Sequence, residues 1–105
     1  MPGGSRIGGQ EAATGVNSTV VCPIANATGG NSSDFGAGAN ATGANASAFG
    51  LLSFAGGTVP NGFTNAGTTA LGTEAQAGAT GVGQTNATAV GFDAQANAAA
   101  GTALG

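Results

Sequence analysis

The chain has 105 residues, 22 of them Gly, and a formal net charge of −3 with a single basic residue. One Arg cannot neutralise a run of phosphates, which excludes a nucleic-acid interface, and no apolar run approaches the ~20 residues that cross a bilayer. The sequence contains no His, Lys or Tyr, so the usual general bases and amine nucleophiles are missing. We therefore expect no enzyme activity, no cofactor and no metal site.

Large apolar side chains are scarce, with five Phe, four Leu, two Ile, six Val and one Met. Ala and Gly add little apolar area per residue to a core, and a domain of this size buries a modest fraction of its surface. Disorder is disfavoured because the charge is low and because the apolar residues recur at fixed positions. The composition therefore predicts a regular architecture with a thin core that partner chains help to stabilise.

A 14-residue repeat begins near the N-terminus and sets the organisation of the chain. With its large apolar residue taken as position 5, position 1 is most often Asn, position 3 is Ser or Thr, and positions 9 and 11 are mostly Ala. Position 13 is Gly15, Gly29, Gly43 or Gly57 in the first four coils. The position-5 residues are Ile7, Val21, Phe35, Phe49, Leu71, Val90 and Leu104, and the corner residues after them are Gly8, Cys22, Gly36, Gly50, Gly72, Gly91 and Gly105.

Two changes of phase interrupt the repeat. Phe49 and Leu71 are 22 residues apart, one coil plus eight, and Leu71 and Val90 are 19 apart, one coil plus five. Because solenoids extrude extra residues as loops, we predict loops at about 59–66 and 81–85. The coils then lie at about 3–16, 17–30, 31–44, 45–58, 67–80 and 86–99, with a partial coil at 100–105.

This period predicts two short strands and two tight turns in each coil. Gly and Asn at the corners tolerate the left-handed backbone that such turns need, and positions 2 to 5 and 8 to 11 alternate with period two rather than 3.6. Coils stacked at ~4.8 Å give each strand parallel neighbours, and about six and a half coils span roughly 30 Å. We predict one all-β domain over 1–105, a parallel β-roll or β-solenoid. The pattern leaves open which position-5 residues face the interior and which face a partner.

The C-terminal repeats resemble those of a known family. Thr88-Ala-Val-Gly-Phe-Asp-Ala-Gln-Ala-Asn-Ala98, followed by Gly101-Thr-Ala-Leu-Gly105, is similar to the head repeats of YadA-like trimeric autotransporter adhesins. The resemblance is strongest from Gly67 to Gly105 and extends more loosely to about Gly3. It implies a left-handed parallel β-roll, a homotrimer of rolls side by side, and a place at the bacterial cell surface. Membrane contact would run only through an anchor outside this chain.

Several residues depart from the repeat or suggest local chemistry. Cys22 replaces a corner Gly, and Arg6 and Asp34 occupy a position that is usually small. Glu74 and Asp93 both fall at position 8, where solvated carboxylates are the simplest interpretation. Six Asn-x-Ser/Thr sequons suggest glycosylation sites, although turn-forming Asn explains them without a sugar. Their Asn residues are Asn17, Asn26, Asn31, Asn40, Asn45 and Asn86.

The segment around the first predicted loop is the candidate recognition site, because loops carry function on rigid scaffolds. Its apolar side chains could form a binding patch, but we favour packing on the trimer or filling of the disrupted coil. The possible ligand-contact residues are Leu52, Phe54, Pro60, Asn61 and Phe63.

Three functions fit these observations. The first is an adhesin head that attaches a bacterial cell to host matrix, cells or surfaces, and the second is a purely structural spacer of a surface or phage fibre. The third is ice binding by the hydroxyl column at position 3, although β-propensity and bonds between coils also explain that column. Its members are Thr19, Ser33, Ser47, Thr69, Thr88 and Thr102.

Overall fold

The computed structural model describes residues 5–7, 12–57 and 63–105. This part of the chain contains β-strands of two or three residues and no helix, so no described helix could cross a membrane. The strands are β1 (Ser5–Ile7), β2 (Ala12–Ala13), β3 (Thr19–Val21), β4 (Asn26–Ala27), β5 (Ser33–Phe35), β6 (Asn40–Ala41), β7 (Ser47–Phe49), β8 (Phe54–Ala55), β9 (Thr69–Leu71), β10 (Gln76–Ala77), β11 (Thr88–Val90), β12 (Gln95–Ala96) and β13 (Thr102–Leu104).

The strands form two parallel sheets. The odd-numbered strands make a seven-stranded sheet, here called sheet A, and the even-numbered strands make a six-stranded sheet, sheet B. In both sheets the spatial order follows the chain order, so each coil contributes one strand to each sheet. The molecule measures 34 × 23 × 19 Å. This all-β architecture is compatible with a β-solenoid, as the repeat predicts.

The strand register shows the length of each coil. Thr19 pairs with Ser33, and Ser33 with Ser47, which gives two steps of 14 residues. Ser47 then pairs with Thr69 and Thr69 with Thr88, so the next two steps are 22 and 19 residues. The sheet therefore keeps equivalent positions in line across both changes of phase.

The interior is lined by small side chains. Position 4 points inward, and its members Val20, Ala48, Ala70 and Ala89 are fully buried. The Ala residues at positions 9 and 11 face them from the sheet B side and are also buried. The larger residues at position 5 point outward instead. The space between the sheets is therefore filled mainly by Ala, together with Val20 and buried polar side chains such as Asp34 and Ser53. The bulky residues of position 5 face outward, which answers the question that the pattern left open.

Two kinds of corner explain the regular spacing of Asn and Gly along the chain. Asn17, Asn31, Asn45 and Asn86 at position 1 have φ of 57–60°, the left-handed conformation that Asn tolerates. The Gly residues at position 13 serve close packing rather than a left-handed turn. A Cβ added to Gly29 would lie 2.0 Å from the carbonyl oxygen of Gly43, the equivalent residue of the next coil.

Both sets of extra residues leave the coil after position 12. The Asn65 N–H donates to Gly56 O at 2.9 Å, and the Gly67 N–H donates to Ala44 O at 2.8 Å, so Asn65 and Ala66 fill positions 13 and 14. The first insertion is therefore 57–64, of which 58–62 lie outside the described residues.

The second insertion follows the same rule. The Ala100 N–H donates to Thr85 O at 2.8 Å, equivalent to the bond from the Asn31 N–H to Val16 O, which joins position 1 to a residue at position 14. Gln84 and Thr85 therefore fill positions 13 and 14, and the insertion is 79–83. Each insertion begins and ends two residues earlier than the sequence pattern placed it, because Asn65 and Gln84 stand where earlier coils carry Gly.

Candidate functional site

The outer face of sheet A carries a continuous column of apolar side chains. Phe35 and Phe49 stack with ring centroids 4.8 Å apart and an interplanar angle of 7°, while Leu71 is 48% exposed. The β1 backbone brings Ile7 into register with Val21 at one end of the sheet. The described side chains of this position-5 column are Val21, Phe35, Phe49, Leu71, Val90 and Leu104.

A second apolar strip follows the corner between the two sheets, at positions 7 and 8. Leu51 and Leu52 are 49% and 43% exposed, Ile24 is 58% exposed, and Phe92 is 70% exposed. Leu52 lies against Gly38 of the preceding coil, where an added Cβ would meet its Cδ2 at 2.8 Å. We call this strip and the position-5 column together the apolar edge. Its composition changes along the axis, because position 8 becomes exposed Glu74 and Asp93 in later coils.

The hydroxyl column at position 3 lies on the same face of sheet A, two residues before position 5 in each strand. Its side chains point outward, and most of its members are half-buried. Any partner that covers the position-5 column therefore also covers these hydroxyl groups. The members are Thr19, Ser33, Ser47, Thr69, Thr88 and Thr102.

The opposite corner is polar and carries a ladder of Asn side chains. The Asn17 amide Nδ2 donates to Asn31 Oδ1 at 3.2 Å, and Asn31 Nδ2 donates to Asn45 Oδ1 at 3.4 Å. A further side-chain hydrogen bond runs from Asn26 Nδ2 to Asn40 Oδ1 at 3.2 Å, on the outer side of sheet B. Position 1 and its neighbours therefore form a polar edge, which contrasts with the apolar edge across the coil.

The two insertions leave this polar edge from adjacent coils, and the coil residue that follows the first insertion is bonded to the second. Asn65, at position 13 directly after the first insertion, donates from Nδ2 to the carbonyl oxygens of Gly78 and Gly81 at 2.7 and 2.6 Å. Gln84 closes the second insertion, because its Oε1 accepts from the N–H groups of Thr80 and Gly81, both at 3.1 Å. Sequence reasoning missed this pairing, since neither Asn65 nor Gln84 belongs to the repeat pattern.

The residues proposed as ligand contacts fall on different surfaces. Leu52 belongs to the apolar edge, and Phe54 lies on β8 in the outer face of sheet B. Phe63 lies in the first insertion, where its carbonyl oxygen accepts from Thr42 Oγ1 at 3.0 Å. Pro60 and Asn61 lie outside the described residues, as does Gly8. The predicted patch is thus not a single surface among the residues that the structure describes.

Asp34 is a buried carboxyl group in the interior of the coil. It occupies position 4, where neighbouring coils carry Val20 and Ala48, and its exposed fraction is 0%. Its Oδ2 accepts from the Asn26 N–H at 2.7 Å, whereas Oδ1 has no hydrogen-bond partner within the described structure. Burial raises the pKa of Asp34 to about 7, against the lowering effect of the Asn26 N–H.

No group of three His, Cys, Asp or Glu residues that could hold a metal ion occurs in the described ranges. Cys22 is a half-buried free thiol at the corner position that Gly36 and Gly50 fill in the next coils. In comparisons with known proteins, no family matches the chain, and neither does any curated protein or solved structure.

Proposed function

We propose that the chain is part of a trimeric adhesin head, a left-handed β-roll in which three copies cover one another's apolar edges. The observation that carries this proposal is the outward direction of the position-5 column. An isolated roll leaves Phe35 and Phe49 half-buried and Leu71 48% exposed along one face, and a contiguous apolar surface that solvent reaches is typical of interaction sites.

The shape of the apolar edge favours a ring of copies over a two-fold pair. A closed ring of three uses two different surfaces on each copy, one facing each neighbour. The position-5 column lies on the face of sheet A, and the strip with Leu51 and Leu52 lies on the adjoining corner. Each of these surfaces can therefore cover the other surface on the next copy.

Adhesion is the role that the resemblance to YadA-like heads implies for such a trimer. The polar edge, with the insertions 57–64 and 79–83, would remain at the outside when the apolar edges are covered. Loops on a rigid scaffold are suited to recognition because they vary without disturbing the core. We therefore assign attachment to these insertions rather than to the coil itself.

The oligomeric state tests the first part of this proposal. We expect sedimentation equilibrium to give about three times the chain mass of 9.5 kDa, 3 × 9.5 = 28.5 kDa. Phe49→Ser removes an outward aromatic ring from the apolar edge and should dissociate the trimer, because burial of one Phe side chain is worth about 1.5–3 kcal/mol at each of three contacts. Circular dichroism should show the same β-structure in the variant.

Phe54→Ser is the matched control, since Phe54 lies on the outer face of sheet B and should leave the trimer intact. A native chain that sediments at 9.5 kDa at the highest attainable concentration would contradict the trimer. Equal dissociation by both substitutions would contradict the assigned face.

Deletion of the insertions tests adhesion. Removal of 57–64 or 79–83 joins position 12 directly to position 13 and restores an unbroken 14-residue phase, so the coil should fold. If the chain is an adhesin, the native trimer binds immobilised matrix proteins or cells, and at least one deletion abolishes binding. If the chain is a structural spacer, neither the native chain nor the deletions bind.

Ice binding remains a second candidate because the hydroxyl column points outward in regular register on sheet A. It needs the same face that the trimer covers, so the two functions exclude each other on one molecule. Thermal hysteresis from a monomeric chain would favour ice binding, whereas a trimer without thermal hysteresis favours the adhesin.

A further inference from the structure

The six sequons differ in how their Asn side chains are bonded, although their sequences are equivalent. In the position-1 ladder, each Nδ2 donates toward the next coil, from Asn17 to Asn31 and from Asn31 to Asn45. Because each Asn donates to the next, the last Asn of the ladder has an Nδ2 that donates to no side chain when the following coil offers no acceptor. That nitrogen is the atom to which an N-linked sugar is attached.

Asn45 is the last member of this ladder. Its Oδ1 accepts from Asn31, and the next coil presents Gly67 at position 1, which offers no side-chain acceptor. Asn45 is exposed, and within the described structure its Nδ2 makes no hydrogen bond.

Asn86 stands apart from the ladder. Its Oδ1 lies over Gly67, where an added Cβ would come within 2.3 Å of it. The following coil presents Ala100, whose methyl group cannot accept a hydrogen bond. Asn86 is exposed, and its carboxamide has no hydrogen-bond partner among the described residues.

The other four sequons are closed by hydrogen bonds. Asn17 and Asn31 use Nδ2 in the ladder. Asn26 Nδ2 donates to Ile24 O and to Asn40 Oδ1, both at 3.2 Å. Asn40 Nδ2 donates to Gly38 O at 3.0 Å, and its residue is only 7% exposed.

We propose that Asn45 and Asn86 are N-glycosylation acceptors on the folded chain, and that the coil protects the other four sequons. The donor is a nucleotide-activated hexose. Nδ2 attacks the anomeric carbon and forms a C–N bond, while the bond from that carbon to the diphosphate oxygen breaks and its electron pair leaves with the nucleoside diphosphate. The proton lost from Nδ2 passes to a base of the transferase.

Both acceptors lie at position 1 on the polar edge, across the coil from the apolar edge. A sugar at either residue would project beside the insertions and away from the position-5 column. The proposal therefore applies equally to a monomer and to a trimer, and its outcome is independent of the proposed adhesin function.

The test is incubation of the folded chain with UDP-glucose and a soluble transferase that recognises Asn-x-Ser/Thr, followed by site-resolved mass spectrometry. Six synthetic peptides, each with one sequon, give the intrinsic rate for every site. We expect Asn45 and Asn86 to retain the largest fraction of their peptide rates. Asn17 and Asn31 should be roughly two- to tenfold slower on the same scale, the factor that one amide hydrogen bond supplies.

Variants make the assignment specific. Asn45→Ala shortens the ladder, so Nδ2 of Asn31 loses its acceptor and the Asn31 rate should rise by roughly two- to tenfold. Alanine is compatible with this corner, because Ala100 holds the same position with φ of 56°. Ser47→Ala and Thr88→Ala remove the two sequons without changing either Asn, and should each abolish one modification.

Three results would overturn the proposal. One is a folded chain that is modified at no site while the peptides are modified. The second is modification at Asn17 and Asn31 that is as efficient, relative to the peptides, as modification at Asn45 and Asn86. The third is an Asn31 rate that does not change in Asn45→Ala.

Discussion

The coils at 17–44 and those at 67–99 share one backbone but differ in what fills it. The earlier coils enclose Val20 and the buried carboxyl group of Asp34. Val20 forms a separate apolar cluster with Ala13, Ala25 and Ala27. The later coils belong to a continuous cluster made only of Ala, which extends from Ala39 to Ala96. Different interiors are therefore compatible with the same coil.

The corners differ in the same way. The earlier coils carry Gly at position 13 and Asn ladders, whereas the later ones carry Gln84 and Ala98 at position 13 and Gly67 and Asn86 at position 1. The backbone bonds between coils are nevertheless equivalent, as in Gly36 N–H to Val21 O at 3.2 Å and Gly91 N–H to Leu71 O at 2.8 Å. Backbone stacking and close approach therefore determine the coil, while side chains adjust its stability locally.

The largest expected effect concerns the close approach in the earlier coils. In Gly29→Ala the new Cβ would lie 2.0 Å from Gly43 O and 2.4 Å from Gly43 C. Because backbone atoms cannot move aside without breaking the stack, we expect a loss of about 4 kcal/mol or more in the free energy of unfolding, or failure to fold. Denaturant unfolding followed by circular dichroism measures this loss.

Gly30→Ala is the matched control one residue later. An added Cβ at Gly30 meets nothing within 4 Å. This variant should be neutral or more stable by about 0.4–1 kcal/mol, because Ala restricts the unfolded chain. Similar losses in both variants would show that close approach does not explain position 13.

The next effect concerns the carboxyl group that sets the earlier interior apart. Asp34 has a pKa of about 7 in the folded chain against 3.8 for an ordinary Asp, so the folded chain binds more protons between these values. The contribution of Asp34 to stability should be fully present below pH ~4 and should be lost as the pH rises to about 7, a loss on the order of 4 kcal/mol. Unfolding free energies at pH 4, 6 and 8 measure this dependence.

Asp34→Ala gives this position the side chain that Ala48, Ala70 and Ala89 have in later coils. The variant should lose this part of the pH dependence and should be more stable than the native chain at pH 8, by about 2–3 kcal/mol. Parallel pH profiles for the two chains would contradict a buried, titrating Asp34.

The smallest effect concerns the corner at position 6. Cys22 has φ of 99°, where Gly36, Gly50 and Gly72 have φ of 132–138°. Backbone strain of this kind costs about 1–3 kcal/mol, which a Gly at this position would relieve. The greater conformational freedom of Gly in the unfolded chain offsets part of this stabilisation. We expect Cys22→Gly to be more stable by about 1 kcal/mol in thermal unfolding. A loss of stability would mean that the thiol makes a compensating contact.

The sequence predicted the period and the parallel stacking because both follow from residues at fixed spacing. It did not assign the inward face, because bulky Phe35 and Phe49 would ordinarily be expected inside. The burial of Ala at positions 4, 9 and 11 decides that question, and it depends on how the two sheets face each other in three dimensions. Asp34 departs from the repeat in the sequence, but its burial depends on the same unassigned face.

The insertions were located to within two residues for a related reason. The repeat marks position 13 by Gly, and Asn65 and Gln84 replace that Gly where the chain returns to the coil. Their contacts with Gly78, Gly81 and Thr80 are specific to the two insertions and have no counterpart in the repeat. A pattern that averages over coils cannot predict such bonds.

The strand register across the first insertion tests the central claim most directly, because that claim requires equivalent positions to stay in line across changes of phase. Cross-strand nuclear Overhauser contacts should join Phe49 to Leu71 and Gly72, consistent with the Gly72 N–H to Phe49 O bond of 2.8 Å. An uninterrupted 14-residue register would place Phe49 beside Phe63 instead. Contacts between the backbones of Phe49 and Phe63, or an absence of contacts between Phe49 and Leu71, would contradict the account.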